Sequence, residues 1–260
     1  MNILLAFKLE PDASMLAERE WQAATQDTRG PDTSLLRSSP GVDEQAAAAL
    51  LLRQRGGGTE FTFTALTLGD ERAVYWLRYF AALGFDQQVL LETSADLRFA
   101  PGAVAHEIVA WQQRHGESLI LTGCQSSEGQ SGQTPFLVAE MLGWPCLTQV
   151  EHFTLEPPFV IADRRTPVGL QRCRVRLPAV LGVRQCGDVA LPVPGMRQRL
   201  AAAKAEILRQ PMSGKVTANI KTLCLTRPVQ RRKLTIIHGV TAAEKAQTLW
   251  DTWLRERMQP

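Results

Sequence analysis

From residue 2 to residue 142 the chain alternates short apolar runs with segments of helical periodicity, and glycine or proline marks most of the changes. Residues 2–7 read as a buried strand. Residues 10–42 are polar and mixed, with a short helix about 14–25. Asp43 and Glu44 open an Ala/Leu-rich helix that reaches Arg55, its acids at the positive end, and Gly56, Gly57 and Gly58 close it. Phe61, Phe63 and Ala65 alternate with Thr62 and Thr64 in a second strand ending at Leu68 and Gly69. Asp70 reads as the N-cap of a helix with Ala73, Val74, Leu77, Phe80 and Ala81 at i, i+3/i+4 spacing, stopped by Gly84. A third strand over 88–92, a helix from Pro101 to Arg114, a fourth strand over 118–123 and a helix over 135–142 complete the series. Strands that alternate with helices pair through crossovers, so the pattern predicts an α/β fold with a doubly wound, mostly parallel sheet.

After Pro145 the period changes. Residues 150–155, 159–163 and 171–177 alternate in period 2, as an antiparallel hairpin or meander does. The last places Cys173, Val175 and Leu177 on one face and Arg172, Arg174 and Arg176 on the other. From about 185 the pattern is irregular, with a helix near 196–208. A final helix starts at Thr241 with a capping box (Thr241, Glu244) and carries Ala246, Leu249, Trp250 and Trp253 on one face. The expected division is an α/β domain over 1–185, including antiparallel strands over 147–185, and an extended C-terminal arm over 186–260.

Charge follows the same division. Residues 1–150 carry 10 Lys+Arg against 18 Asp+Glu, whereas residues 151–260 carry 19 against 8. A basic second half points to an anionic partner or to a solvated arginine-rich surface. Nucleic acid fits poorly, because no RNP-like aromatic motif, Cys/His finger or basic zipper is present. No apolar run reaches the ~18 residues of a membrane span, and residues 3–7 are too short for a signal-peptide core. The five widely spaced cysteines, without a C-x-x-C pair, exclude a disulfide scaffold and a structural zinc site. A cytoplasmic location is the expectation.

The most informative segment is the run Gly123-Cys124-Gln125-Ser126-Ser127-Glu128-Gly129-Gln130-Ser131-Gly132-Gln133-Thr134. It follows a buried strand and enters a helix at Pro135. Small residues there expose backbone N–H groups, and the helix N-terminus adds partial positive charge, together an anion seat at the carboxyl edge of a parallel sheet. Glu128 is a candidate for a ribose or a cation, and Ser131 and Thr134 are candidate donors to phosphate oxygens. An ordinary flexible strand-to-helix loop is the alternative. The run is neither a Walker loop nor a G-x-G-x-x-G fingerprint. The four histidines are scattered, no zincin pair or G-x-S-x-G elbow occurs, and Cys124 is either a nucleophile or a small thiol packed at a turn. No catalytic or metal-ligating constellation is apparent, so the chain reads as a binder rather than an enzyme by itself.

At this loop the sequence resembles the β subunit of electron transfer flavoproteins. Residues 122–133, followed by Ala139, Glu140, Leu142, Gly143, Trp144 and Pro145, are similar to the family's G-K-Q-A-I-D-G-D-S-G-Q and A-E-x-L-G-W-P. Residues 2–8 with Pro11 and Asp12 resemble its opening K-I-L-V-A-V-K…P-D. Ser39, Pro40 and Asp43 stand where N-P-F-x-E precedes the first long helix. Arg164, the Gly169–Gln171 run and Leu177-Pro178-Ala179-Val180 track R-E-x-D-G-G-L-E…L-P-A-V, and Val193-Pro194-Gly195-Met196 sits where L-P-N-I begins a partner-recognition loop. The last 50 residues add nothing to the likeness.

The resemblance implies an adenine nucleotide α-hydrolase-like fold and a heterodimer with an α subunit that holds most of the FAD. It further implies a structural AMP on this chain and electrons relayed from a flavin dehydrogenase. Carried over by position, AMP would lie against Ala6, the turn Ser39-Pro40-Gly41-Val42, Leu68, Gly69 and the 123–134 loop; Arg164, Arg165 and residues 193–196 would meet partners. The sequence departs from the family at several points. Cys124 replaces the loop lysine, and Glu128 and Gln130 stand for its loop acids. Ala13 and Gly41 stand where many relatives offer aromatics to the flavin. Arg165 replaces a glutamate that meets a dehydrogenase arginine, which implies an acidic-faced dehydrogenase steered by Arg164, Arg165, Arg172, Arg174 and Arg176. The alternatives are an ATP pyrophosphatase of the same superfamily, for which the S-G-G-x-D/S signature is missing, and a nucleotide sensor acting alone, for which residues 150–260 are excess.

Overall fold

The computed structural model describes residues 1–24, 30–56, 60–187, 189–214, 216, 220, 223, 234–255 and 257–258. Gly57 and Gly58, read above as part of a helix stop, and Cys224 lie outside them. Strand β1 (Asn2–Ala6) is followed by the short β2 (Leu9–Pro11), a single 3-10 turn (Ala13–Met15), α1 (Glu18–Ala24) and β3 (Ser38–Pro40), which pairs antiparallel with β2. Then come α2 (Val42–Leu52), β4 (Thr62–Gly69), α3 (Ala73–Leu83), β5 (Gln87–Glu92), α4 (Pro101–His115), β6 (Leu119–Gly123) and α5 (Thr134–Leu142). The second half holds β7 (Cys146–Glu156), β8 (Phe159–Thr166), β9 (Gly169–Arg176), β10 (Ala179–Val183), α6 (Met196–Ala202), β11 (Leu208–Pro211) and α7 (Ala242–Leu249), which runs into a π-helical turn (Trp250–Leu254).

Nine strands form one sheet in the order β11-β5-β4-β1-β6-β10-β7-β8-β9. Every pairing from β11 to β7 is parallel; β7–β8 and β8–β9 are antiparallel. From β1 the chain steps outward through β4 and β5, then returns to β6 on the other side of β1. Crossovers of one hand that leave a strand in opposite directions put their helices on opposite faces. Hence α2 and α3 pack on one face with Ile3, Leu5, Phe63 and Leu121. Helices α4 and α5 pack on the other with Leu4, Leu66, Val89 and Ile120. Covered on both sides, these strands are apolar at successive positions rather than alternate ones. That explains why Thr64 and Thr67 of β4, which looks alternating in sequence, are buried with their neighbours.

Three element readings need correction. Residues 179–183, placed above among antiparallel strands, form the parallel strand β10 between β6 and β7, buried throughout. The signal was a short apolar run, which periodicity alone does not assign. The helix expected near 196–208 stops at Ala202; residues 208–211 instead pair with β5 at the sheet edge. Asp70 is not the N-cap of α3. It sits one turn earlier, its Oδ1 accepting from the Arg72 N–H at 3.0 Å, and Arg72 takes the cap position. The capping box of α7 is present, with Thr241 Oγ1 accepting from the Glu244 N–H at 3.2 Å. No helix among the described residues is long and apolar enough to cross a membrane.

Candidate functional site

Where the strand order reverses, the loops after β1 and β6 diverge and leave a crevice at the carboxyl edge of the sheet. A cleft of about 1150 Å³ opens there. Ala6 ends β1 and Lys8 follows it, Leu68 and Gly69 end β4, and residues 93–98 follow β5. The loop after β6 contributes Gly123, Cys124, Gln125, Ser126, Glu128, Ser131 and Gly132, and α5 contributes Thr134 and Pro135. Ser127, Gly129, Gln130 and Gln133 belong to the same loop but do not line the cleft. Nor do Ser39, Pro40, Gly41 and Val42: the first two lie in β3, and Val42 opens α2 with 64% of its surface exposed. Residues 93–98 and Lys8 went unremarked in the sequence as site groups, although any loop after a parallel strand here faces the crevice.

The loop after β6 is shaped by its glycines. Gly129 has φ +76°, and a Cβ there would lie 2.6 Å from the Arg98 carbonyl oxygen, so only glycine fits the approach. A Cβ at Gly132 (φ +60°) would meet the Cys124 carbonyl at 3.0 Å, which shows the loop folding back beside the end of β6. No side chain caps α5, whose N-cap is Gln133. The Thr134 and Phe136 amides of its first turn are therefore left for solvent or an anion, Pro135 between them having no N–H. Glu10 accepts from the Ser127 N–H at 2.8 Å, and Lys8 Nζ donates to the Glu128 carbonyl at 3.3 Å. Asp43 ties three elements together: its carboxylate, at the start of α2, accepts from the Gln125 N–H at 3.2 Å and the Gln185 N–H at 2.8 Å.

Two groups stand out chemically. Cys124 is buried, its Sγ donating to the Gly182 carbonyl at 3.0 Å and accepting from the Gln149 N–H at 3.1 Å. Burial pushes its pKa up to about 11. A thiol held that way is not a nucleophile at neutral pH, and the packed-thiol reading stands. Glu44, on α2, is 6% exposed and lines the cleft. Burial first, then the charges of Glu10 and Asp43, push its pKa to about 8, against a lowering by its own backbone amide and Lys8.

Comparison with known proteins sets this cleft in a family. A family model described as the electron transfer flavoprotein domain matches residues 39–213, more than half of the chain. The chain belongs to the electron transfer flavoprotein family. It is 65% identical over 260 residues, the full length of both chains, to an Escherichia coli protein named "Putative electron transfer flavoprotein subunit YgcR". It is 25% identical over 248 residues to the mitochondrial electron transfer flavoprotein subunit beta of Arabidopsis thaliana, covering 92% of this chain and 94% of that one. To the subunit beta of Mycobacterium bovis it is 29% identical over 174 residues, 64% of each chain. The family assignment is thus of the β type.

The arginines that mark this family member out are not one strip. The β8–β9 register puts Arg165, Arg172, Arg174 and Arg176 on the outward face, while Arg164 shares the opposite face with the buried Val160 and Ala162 and bonds Gln171 at 2.9 Å. The common strip read from sequence is corrected accordingly, because side chains on a strand alternate between faces. The outward arginines are largely engaged. Arg165 grips Glu151 with two bonds of 2.9 and 3.0 Å, Arg172 grips Asp163 with two of 2.7 and 2.8 Å, and the Arg174 guanidinium lies 3.6 Å over the Phe159 ring. Residues 193–196 precede and open α6. Pro194 is buried, with its carbonyl accepting from Arg199 at 3.0 Å, while Val193 and Met196 are about three-quarters exposed (74% and 73%).

Proposed function

We propose that this chain is the β-type half of an electron transfer flavoprotein, pairing with an α subunit that carries FAD and relaying electrons from a flavin dehydrogenase, with AMP as a structural ligand in the switch-point cleft. The observation that carries the nucleotide reading is the uncapped N-terminus of α5 opening into that cleft beside a glycine-shaped loop. The residues present fit an adenylate: first-turn amides and the hydroxyls of Ser131 and Thr134 for the phosphate, and Ala6, Leu68 and Gly69 as a close backbone floor. Cys124 offers no charge in place of the family's lysine, which leaves Lys8 as the nearby cation of the loop.

Bound flavin would supply one- and two-electron chemistry, which needs proximity and a tuned potential rather than an acid–base pair. This chain offers the flavin no ring at the two positions noted above. Ala13 stands in the exposed 3-10 turn, and a Cβ at Gly41 would collide with the Glu44 carboxyl at 2.2 Å. The α subunit would therefore hold the ring. Val193 and Met196 are exposed apolar contacts for a partner, and the outward face of β8 and β9 offers arginines to an acidic one. Co-expression with an α subunit tests the reading. A yellow complex should co-purify, and heating it should release FAD and AMP, separable by chromatography. A colourless chain that purifies alone and without nucleotide would refute it.

A further inference from the structure

The cleft contains six described carboxyl side chains, and five are engaged. Asp32 accepts from the Ser34 N–H at 2.9 Å; Asp70, Asp96 and Glu71 pair with Arg72, Arg98 and Arg209; Glu128 lies 3.8 Å from Lys8. Glu44 is the sixth, and its Oε2 is buried without a hydrogen-bond partner. Its carboxyl fills a notch between two glycines. A Cβ at Gly41 would lie 2.2 Å from Oε2, and a Cβ at Gly123 would lie 2.7 Å from Cδ. Nothing among the described residues supplies the missing contact, and leaving a buried carboxyl oxygen unpaired is destabilising.

We infer that Glu44 is a ligand-contacting, specificity-determining residue of the cleft, its carboxyl pairing with a ribose hydroxyl of a bound nucleoside phosphate. The inference rests on the nucleotide reading above. Glu44 abuts Gly123 at the end of β6, while Gly132 folds back against Cys124, so the carboxyl and the free amides of α5 flank the same strand end. A nucleotide bound this way seats its phosphate on those amides and its sugar on the Glu44 side of the cleft. A carboxyl is the usual protein partner of ribose hydroxyls. At neutral pH the group is mostly uncharged, since burial raises its pKa to about 8, and so it does not repel the neighbouring phosphate.

The test is calorimetric titration of the full-length chain, free of bound nucleotide, with AMP and with 2′,3′-dideoxy-AMP. The wild-type protein should prefer AMP by about tenfold or more. Glu44→Leu should reduce that preference to near unity while leaving dideoxy-AMP affinity within about threefold, and Glu44→Gln, which keeps a polar group in the notch, should retain most of it. Circular dichroism of both variants establishes that they fold, and Glu44→Gln preserves the measurement if Glu44→Leu does not. A preference unchanged in Glu44→Leu, or absent in the wild type that nonetheless binds AMP, overturns the inference alone. Failure of the wild type to bind either nucleotide overturns the nucleotide reading and this inference with it.

Discussion

The parallel body of the sheet and its antiparallel wing solve the same problem in opposite ways. In β1, β4 and β6 both faces are covered by helices, and Leu4 and Leu5, side by side in sequence, are both 0% exposed. In β8 and β9 one face is covered and the other is bare. Val160 and Ala162 are buried, while Arg172, Arg174 and Arg176 stand in solvent. Polar groups follow suit. In the body, Asp43 and Glu44 sit where loops converge, and burial there pushes the pKa of the Glu44 carboxyl up to about 8. In the wing, Arg172 meets Asp163 in water, where an ion pair contributes little to stability, and Arg165 covers the buried Glu151 from the solvent side. The proposed ligand site therefore falls in the body, and the proposed docking face in the wing.

The sharpest way to break this comparison is to remove equal bulk from each region. Leu5→Ala in β1 should cost about 3 kcal/mol, and Ile161→Ala on the outward face of β8 below about 1 kcal/mol, in urea denaturation. Equal costs would mean that the wing's outer face is covered in a way the fold does not provide.

The second prediction concerns pH. The pKa of Glu44 is raised from 4.5 to about 8 on folding. The stability that accompanies this shift is complete below pH 4.5 and is lost as pH climbs through about 8. Glu44→Gln, which cannot ionise, should therefore be more stable than wild type by on the order of 2–4 kcal/mol at pH 9, with the gap closing at pH 5. Glu10, Asp43 and Lys8 surround the group in both proteins. Thermal melts across this range check it, and a pH-independent difference would place Glu44 in water.

A smaller effect is expected in the loop. Gly129→Ala must escape both its positive φ and the Arg98 carbonyl. It should lower AMP affinity about tenfold while costing roughly 1–2 kcal/mol of stability, measured by titration and melting. The smallest belongs to the wing. Arg172→Ala should leave the melting midpoint unchanged, whereas Arg165→Glu, which turns an ion pair with Glu151 into a repulsion, should slow association with the dehydrogenase at low salt. Unchanged rates for Arg165→Glu would remove the wing from partner recognition.

Much of this was legible beforehand. Strands β1, β4, β5 and β6 and the helices between them follow from apolar runs and from stops such as Gly84 and Gly116, because local propensity and burial agree there, whereas β2 and β3 lie in a polar stretch that carries no such run. That the loop at 123–134 borders the cleft was legible because it follows a buried strand of a parallel sheet and enters a helix, which puts it at the sheet's carboxyl edge. Strand β10 was not legible, since residues 179–183 are as compatible with a connection as with a strand until β6 and β7 are seen to need a neighbour. Nor was Glu44: beside Asp43 it read as one of two acids favoured by the positive end of a helix, and nothing local distinguishes them.

By itself, then, the amino-acid order determined the alternation of elements, the parallel sense of most strands and a loop that borders the cleft, since each depends on residues close in the chain. Tertiary structure alone decided that Glu44 lies against Gly123, that Arg164 falls on the covered face of the wing and Arg165 on the bare one, and that residues 208–211 close the sheet edge. Those outcomes depend on the register between segments about 80 or more residues apart, or on which face of a strand is covered. Burial and pairing between distant segments are set by the whole fold, and they turned an acid at a helix start into the one carboxyl in the cleft, among the described residues, with a buried oxygen that lacks a partner.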